Sequence, residues 1–306
     1  MKLTNKFNLP EPFVAAVSVD EYARGTADFT TTELINPTRI VSLHRKHEVD
    51  IEEDVSERVW RLQGSAKHVV LERIAKTKPE RYIVEERYTT VMPGGVTISG
   101  QIDLFDKLTK ILYDWKDTSV WKFMIGNTEE WEQQANTNLY LMRQNGIHPE
   151  KLVNIAVLKD WKVREARFSR MKDYPKCAIH ALEFPIWSVG EQQDFIMKRI
   201  KAHQEGMANP PVCTKKERWQ RDATFAVMRT DRKRAIPGGL CESRDKAEAV
   251  MMHHMKIAPP GDARKFYIEE RDAEPVRCID FCPVQTFCDF GIEADKKWQE
   301  RNNKPE

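Results

Sequence analysis

A predicted β-hairpin at residues 98–116 limits the folds open to this chain more than any other segment. The alternating apolar segments Ile98–Phe105 and Ile111–Lys116 flank five mostly polar residues, a pattern typical of a hairpin. A turn midway between them places Asp103 directly opposite Asp114. Opposed side chains on one face of a hairpin have Cβ atoms roughly 5 Å apart, so the two carboxylates could bind a single cation.

Lys116 belongs to the same predicted face, because it follows Asp114 by two residues and side chains alternate along a strand. Two like charges facing each other destabilise a hairpin. A divalent cation between Asp103 and Asp114 would relieve that repulsion. Two solvent-facing carboxylates on a surface hairpin are the alternative interpretation of this segment.

Composition describes an ordinary globular protein that can form one large domain or two smaller ones. The chain has 306 residues, of which 41% are hydrophobic and 31% charged, with a net charge of +2. Any nucleic-acid surface must therefore come from local clusters of basic residues. The start shows no secretory signal, and no apolar run is long enough to span a membrane. We expect a cytoplasmic protein that does not enter a membrane.

A long helix is predicted to begin at Asp54, which together with Glu57 forms a capping-box pattern. Gly64, His68 and Glu72 follow one another at intervals of four and share one face of this helix. A lone histidine on a helix is usually structural. The predicted apolar stripe lies on a different face and consists of Val55, Val59, Leu62, Ala66, Val70 and Ile74.

Other segments show strand or helix patterns of ordinary length. Gln134 and Asn138 share a face of one predicted helix. A second Asp-Trp-Lys triplet, at residues 160–162, lacks an opposed carboxylate and is interpreted as a decoy. The predicted strands are Tyr82–Val91 and Leu152–Leu158, and the predicted helices are a short one from about Thr31, then Glu129–Asn145, Val189–Gly206, Lys215–Arg234 and Ser243–His254.

Six cysteines in a chain without export signals favour free thiols or metal ligands over disulfides. Cys278, Cys282 and Cys288 follow a C-x3-C-x5-C spacing. Three thiols need a fourth ligand to complete a tetrahedral zinc site or an iron–sulfur cluster. Cys213 or Cys241 could supply it. The remaining residue, Cys177, is predicted to be a small core residue.

Four motifs in a fixed order give the chain its resemblance to a known family. Gly64–His68 resembles a G-x-x-x-H motif, and Ser99–Asp103 resembles a strand that carries the first metal carboxylate. Asp114–Lys116 is a (D/E)-x-K triplet, and Gln134–Asn138 stands where a Q-x-x-x-Y motif is expected. Over about residues 30–290 the chain resembles the PD-(D/E)XK nuclease superfamily. The similarity is to RecB/AddB-like exonucleases and RecB-like CRISPR-associated nucleases, with a bacteriophage-encoded branch nearest.

The resemblance also covers the cysteines and includes two departures. Asn138 replaces the usual tyrosine, and residues 36–40 lack the cysteine that precedes the core in some members. The fourth ligand must then come from the C-terminal side, where Cys213 is favoured over Cys241. By resemblance, a [4Fe–4S] cluster is held by Cys213, Cys278, Cys282 and Cys288, with zinc as the alternative.

The fold implied by the resemblance is α/β. It is a restriction-endonuclease-like mixed sheet flanked by helices, followed by a helical cysteine-cluster region. We expect an N-terminal helical segment at residues 1–50, a nuclease core at 51–208 and the cluster region at 209–306.

The activity implied by the resemblance is a Mg²⁺- or Mn²⁺-dependent DNA exonuclease for recombination, repair or phage DNA processing. A helicase or a single-strand annealing protein is the expected partner. Lys116 would orient the attacking water and Gln134 would position Lys116 or the phosphate. Glu72, one turn beyond His68, would support a metal ligand or bind a second metal ion. The implied metal ligands are His68, Asp103, Asp114 and the Trp115 carbonyl.

Two other classes of function remain open from the sequence. A non-catalytic nucleic-acid-binding or recombination-partner module would need only a structural cluster or zinc site. A zinc-ribbon-like regulator would use the cysteines and leave the hairpin carboxylates unexplained.

Overall fold

The structure is a computed structural model that separates into two compact units, Met1–Pro210 and Pro211–Glu306. The first unit includes residues 1–50 together with the predicted core. None of the described helices is both long and apolar enough to cross a membrane. The described residues are 2–18, 25–168, 171, 173–259 and 265–302.

The first unit is built on a five-stranded mixed sheet in the order β10-β9-β8-β7-β4. Within it β8 and β9 are parallel, and the other pairs are antiparallel. A three-stranded sheet, β2-β6-β5, and the parallel pair β1-β3 complete its strands. The strands are β1 (Lys2–Thr4), β2 (Phe29–Thr30), β3 (Glu52–Asp54), β4 (Tyr82–Val84), β5 (Arg87–Val91), β6 (Thr97–Gln101), β7 (Leu104–Asp106), β8 (Ile111–Thr118), β9 (Lys151–Leu158) and β10 (Ile179–Phe184).

Helices flank these sheets, which confirms the predicted α/β fold. Leu139 and Met142 of α6 and Ile196 of α8 are fully buried in one core with Leu112 and Leu152 of the central strands. The helices of this unit are α1 (Glu11–Ser18), α2 (Thr31–Ile35), α3 (Thr38–Lys46), α4 (Val59–Ala75), α5 (Val120–Ile125), α6 (Glu129–Gln144), α7 (Val163–Phe168) and α8 (Val189–Gly206).

The hairpin register is confirmed, but the first predicted strand is not continuous. Leu104 pairs with Tyr113 and Phe105 with Leu112, so one further step places Asp103 opposite Asp114. The predicted strand Ile98–Phe105 breaks around Asp103 into β6 and β7, which belong to different sheets.

The predicted strand Tyr82–Val91 breaks at the same level, into β4 and β5. Glu85 adopts a φ of +50° there, a conformation that side chains other than glycine rarely adopt. The backbone N–H of Glu85 donates to the Asp103 carbonyl at 3.2 Å, and that of Ile102 donates to the Glu86 carbonyl at 3.0 Å. These two hydrogen bonds link the interrupted segment around Glu85 to the one around Asp103, so the two residues lie side by side.

Helix α4 begins later than predicted and packs on a different face. Asp54 accepts a hydrogen bond from the Ser56 N–H and opens a short 3₁₀ turn, so the α-helix begins at Val59. The predicted apolar stripe is wrong, since Val70 is 50% exposed and Ile74 62% exposed. The face of the helix that carries Lys67 lies toward the sheet instead, and Lys67 pairs with Asp117 of β8.

The second unit contains a three-stranded antiparallel sheet, β13-β12-β14, with α9 packed on it around Val227, Ile236 and Ala247. The helix predicted over 243–254 is confirmed as α9. The helix predicted over 215–234 is wrong, because β12 within it pairs along its full length with β14. The elements are β11 (Gln220–Arg221), β12 (Thr224–Arg229), β13 (Leu240–Cys241), β14 (Phe266–Arg271), β15 (Glu274–Pro275), α9 (Arg244–Ile257), α10 (Val276–Asp280) and α11 (Asp289–Asn302).

Candidate functional site

Three side chains of the first unit converge at the strand breaks, His68 from α4, Glu85 from the break between β4 and β5, and Asp103 from the break between β6 and β7. His68 Nδ1 lies 3.0 Å from Glu85 Oε1 and 3.8 Å from Asp103 Oδ1. Ligand atoms of all three residues lie within 4.8 Å of one another, and no other group of three acidic, histidine or cysteine residues among those described does so. One imidazole and two carboxylates at this spacing can surround one divalent cation.

Neighbouring groups fix the orientation of both carboxylates. Gln101 Nε2 donates to Glu85 Oε2 at 2.8 Å. The backbone N–H of Trp115 donates to Asp103 Oδ2 at 2.7 Å. Each carboxylate thus uses one oxygen for support and turns the other toward His68. Such supporting hydrogen bonds are typical of metal ligands in proteins.

Asp114 and Lys116 lie on one face of β8, as predicted. Lys116 Nζ is 2.8 Å from Asp114 Oδ2 and donates to Gln134 Oε1 of α6 at 2.7 Å. Asn154 Nδ2 of β9 donates to the same Asp114 oxygen at 3.3 Å. Two acceptors therefore hold the Lys116 ammonium, and its side chain is only 19% exposed.

The electrostatics of the site favour a bound cation. Burial, followed by the charge of Asp114, raises the pKa of Asp103 above its usual range, and His68 and Lys116 oppose that shift. The hydrogen bond to Glu85 raises the pKa of His68, and Asp103 and Asp114 add to the effect. Three carboxylates so close together are costly to bury without compensating positive charge.

Glu85 was missed by the sequence analysis, which placed it inside one continuous strand. The usable signal is the pair Glu85-Glu86 in the middle of a predicted strand, since glutamate is depleted in strands. If the strand is interrupted at this pair, Glu85 does not pair with a neighbouring strand, and its side chain is available to the site. The contact with His68 is not visible in the sequence, because 17 residues separate the two.

Asn138, which replaces the family tyrosine, lies in a structural contact. Its Oδ1 accepts a hydrogen bond from Thr31 Oγ1 at 2.9 Å. A Cβ added to Gly100 would lie 2.4 Å from that oxygen and 2.5 Å from Thr31 Oγ1. The close approach of α6 to β6 therefore depends on Gly100, and Asn138 fills the space that it leaves.

The side chains of three further candidate residues of this unit make contacts of their own outside the group of His68, Glu85 and Asp103. Glu72 pairs with Lys76 on its own helix, so its predicted supporting role finds no contact at the site. Asp160 of the decoy triplet accepts a hydrogen bond from the Val120 N–H at 2.7 Å, at the start of α5. The Trp115 ring stacks on Tyr113, with centroids 6.4 Å apart.

Four cysteines of the second unit lie close to one another. Cys278 is on α10, Cys288 immediately precedes α11, and Cys282 lies between these helices. Burial and Glu217 raise the pKa of the Cys213 thiol to about 12, with contributions from each of these three cysteines. Cys213 is thus near the C-terminal trio.

Cys241 and Cys177 lie elsewhere. Cys241 is on β13 and packs against the hydrophobic cluster beneath α9. The prediction of a core position for Cys177 is wrong, because this residue is exposed, with its Sγ 3.7 Å from His180 Nε2.

No protein-family model and no curated protein matches the sequence. Among solved structures, the crystal structure of SSO0001 is similar with a TM-score of 0.44 and 15% identity, over 68% of this chain and 86% of that chain. A phage-related exonuclease from Haemophilus somnus 129PT has a TM-score of 0.28 and 11% identity, over 65% of this chain and 82% of that chain. Similarity at this level assigns no function to this chain.

Proposed function

We propose that this protein is a divalent-metal-dependent nuclease that hydrolyses phosphodiester bonds in DNA. The observation that carries the proposal is the convergence of His68, Glu85 and Asp103 beside a lysine held between Asp114 and Gln134. A metal-ligand group next to a fixed ammonium is suited to phosphodiester hydrolysis, because charge develops on the phosphate oxygens in the transition state.

The donor set fits Mg²⁺ or Mn²⁺. Carboxylate oxygens suit both ions, and the His68 imidazole shifts the preference toward Mn²⁺. His68, Glu85 and Asp103 would hold the ion, with Asp114 and the Trp115 carbonyl as further ligands. When bound, such a cation polarises the scissile phosphate and makes water a stronger nucleophile.

Lys116 is the side chain of the protein that stabilises the charge on the phosphate, in addition to the metal ion. Its ammonium can donate to a phosphate oxygen while Asp114 and Gln134 fix its position. Gln134 thereby acts as a positioning residue for Lys116. Asn154, through its hydrogen bond to Asp114, keeps that carboxylate in place.

We further propose exonuclease action on DNA ends, in recombination, repair or phage DNA processing. The order of the Gly64–His68, Asp103, Asp114–Lys116 and Gln134 motifs supports this assignment through its resemblance to RecB/AddB-like exonucleases. A helicase or single-strand annealing partner is proposed on the same basis.

The second unit is proposed to hold a [4Fe–4S] cluster on Cys213, Cys278, Cys282 and Cys288. The proposal is supported by four free thiols that are near enough for Cys213 to interact electrostatically with the other three, and thiols are the donor set of a cluster or of zinc. When bound, the group would join the start of this unit to α10 and α11, so binding energy would become folding energy.

Digestion of end-labelled linear DNA and covalently closed circular DNA, with and without Mg²⁺ or Mn²⁺, tests the function. We expect metal-dependent release of label from the linear substrate and an intact circle. Cleavage of the circle would contradict exonuclease action while leaving a nuclease. Binding of both substrates without any cleavage would identify a non-catalytic DNA-binding module.

A further inference from the structure

The loop that joins β12 to β13 in the second unit carries a concentrated positive charge. Arg232, Lys233 and Arg234 are consecutive and exposed. Arg229 donates to both oxygens of Asp231, the one acidic residue of the sequence 230–239, at 2.6 and 2.9 Å.

The base of this loop is held firmly. Ile236 is 4% exposed, and its N–H donates to the Val227 carbonyl at 3.0 Å. The Gly239 N–H donates to the Ile236 carbonyl at 2.8 Å, and the Val227 N–H donates to the Gly239 carbonyl at 2.7 Å. A Cβ on Gly239 would lie 2.6 Å from Ile236 Cγ1. The three basic residues therefore belong to a loop whose base is fixed by backbone hydrogen bonds.

A cleft of about 590 Å³ opens beside the loop. Lys233 and Arg234 line it from the loop and Arg271 lines it from β14, whereas none of its lining residues is acidic. Ile236 and Leu240 supply an apolar wall, and Leu240 is 59% exposed. We call this the basic cleft. Arg271 also pairs with Glu269 at 2.7 Å, which holds its guanidinium at the rim.

We propose that the basic cleft binds the sugar–phosphate backbone of DNA, as a contact surface separate from the site that contains His68 and Lys116. Guanidinium groups match phosphate oxygens in pairs, and the apolar wall can lie against a deoxyribose. The inference rests on the proposed function for its choice of DNA as the ligand. Backbone contacts position a nucleic acid without reading its sequence, so the cleft would hold DNA of any sequence.

Fluorescence anisotropy of labelled 30-mer DNA, without added divalent cation, tests the cleft in the full-length protein. The variant is Lys233→Gln/Arg234→Gln, which removes two charges that line the cleft. The control is Lys296→Gln/Lys297→Gln, which removes two charges from exposed positions on α11. We expect at least a tenfold loss of affinity at low salt for the loop variant only. The slope of log affinity against log salt should also become shallower by about 2.

Two outcomes would overturn the inference. One is an affinity and salt slope for the loop variant equal to those of the control. The other is an equal loss of binding to a poly-glutamate peptide, which would identify the loop as a surface for acidic polypeptides. Wild-type protein that binds DNA through the cleft but does not cleave it would contradict the proposed nuclease function. The proposal that the cleft binds DNA would still stand.

Discussion

The Nδ1 atom of His68 on α4 lies 3.0 Å from Oε1 of Glu85, which lies in the break between β4 and β5. This contact, with Asp103 beside it, defines the centre of the candidate metal site. Because Glu85 adopts a left-handed backbone conformation there, its position costs conformational energy that the surrounding structure must offset.

Glu85→Gln is expected to weaken metal binding while preserving the fold, because the amide keeps the shape and loses the charge. Cleavage of linear DNA at limiting Mn²⁺ should fall about 10–100-fold and recover in part at high Mn²⁺. Glu86→Gln, at the adjacent exposed position, is the matched control and should retain wild-type activity. Equal activity of both variants at limiting metal would exclude Glu85 as a ligand.

His68→Ala is expected to act through metal affinity as well. Loss of one ligand from a site with few protein ligands should raise the Mn²⁺ concentration required for half-maximal cleavage, with partial recovery at high metal. A metal titration of the nuclease rate provides the measurement. An unchanged titration curve would show that His68 is not a metal ligand and has a structural role on α4.

Lys116→Ala is expected to abolish metal-dependent cleavage and leave DNA affinity nearly unchanged, because other phosphate contacts supply the affinity. Lys162→Ala, in the second Asp-Trp-Lys triplet, is the matched control and should cut like the parent. Asp160→Ala should also cut, but should lower the free energy of unfolding by about 1 kcal/mol, since its carboxylate accepts the Val120 N–H at the start of α5. An inactive Lys162→Ala beside an active Lys116→Ala would show that the site is misplaced.

Protein purified without oxygen is expected to be brown and to contain iron and acid-labile sulfide. Cys213→Ser should lose the colour and unfold at a lower temperature, whereas Cys241→Ser and Cys177→Ser should keep the colour, because only Cys213 lies near the C-terminal trio. Iron analysis, absorption spectra and thermal melting provide the measurements. Colourless protein that contains stoichiometric zinc would show that the cysteines form a zinc site and not an iron–sulfur cluster.

The buried His203 is expected to make stability depend on pH. It is 1% exposed, and burial, followed by the charge of Arg199, lowers its pKa to about 4. The unfolded chain therefore binds one more proton between about pH 4 and pH 6.5, so the free energy of unfolding rises with pH across this range.

His203→Gln should remove up to roughly 3 kcal/mol of that pH dependence. Urea unfolding of both proteins between pH 4.5 and 7.5 provides the measurement, and His148→Gln at an exposed position is the control. Parallel stability curves for the His203 variant and the parent would contradict the prediction.

The sequence by itself determined the features that depend on neighbouring residues. The register of β7 with β8 followed from a polar turn between alternating segments, because the period of two fixes which side chains face each other. Helix α8 has the predicted bounds, Val189–Gly206, since Ser188 and Glu191 form a local capping box that marks its start. The α/β class was expected from the resemblance that the ordered motifs at residues 64–68, 99–103, 114–116 and 134–138 carry.

Only the tertiary structure decided which distant residues meet. Glu85 reaches His68 because two strands break at one level and bind each other there, and the periodicity of either strand alone does not reveal this. The packing face of α4 was decided by the pairing of Lys67 with Asp117 of β8, and it left Val70 and Ile74 exposed. Cys213 lies near Cys278 although 64 residues intervene, and before the structure only the family resemblance had grouped the two. Contacts of this kind depend on the path of the whole chain, and local propensity and spacing carry no information about that path.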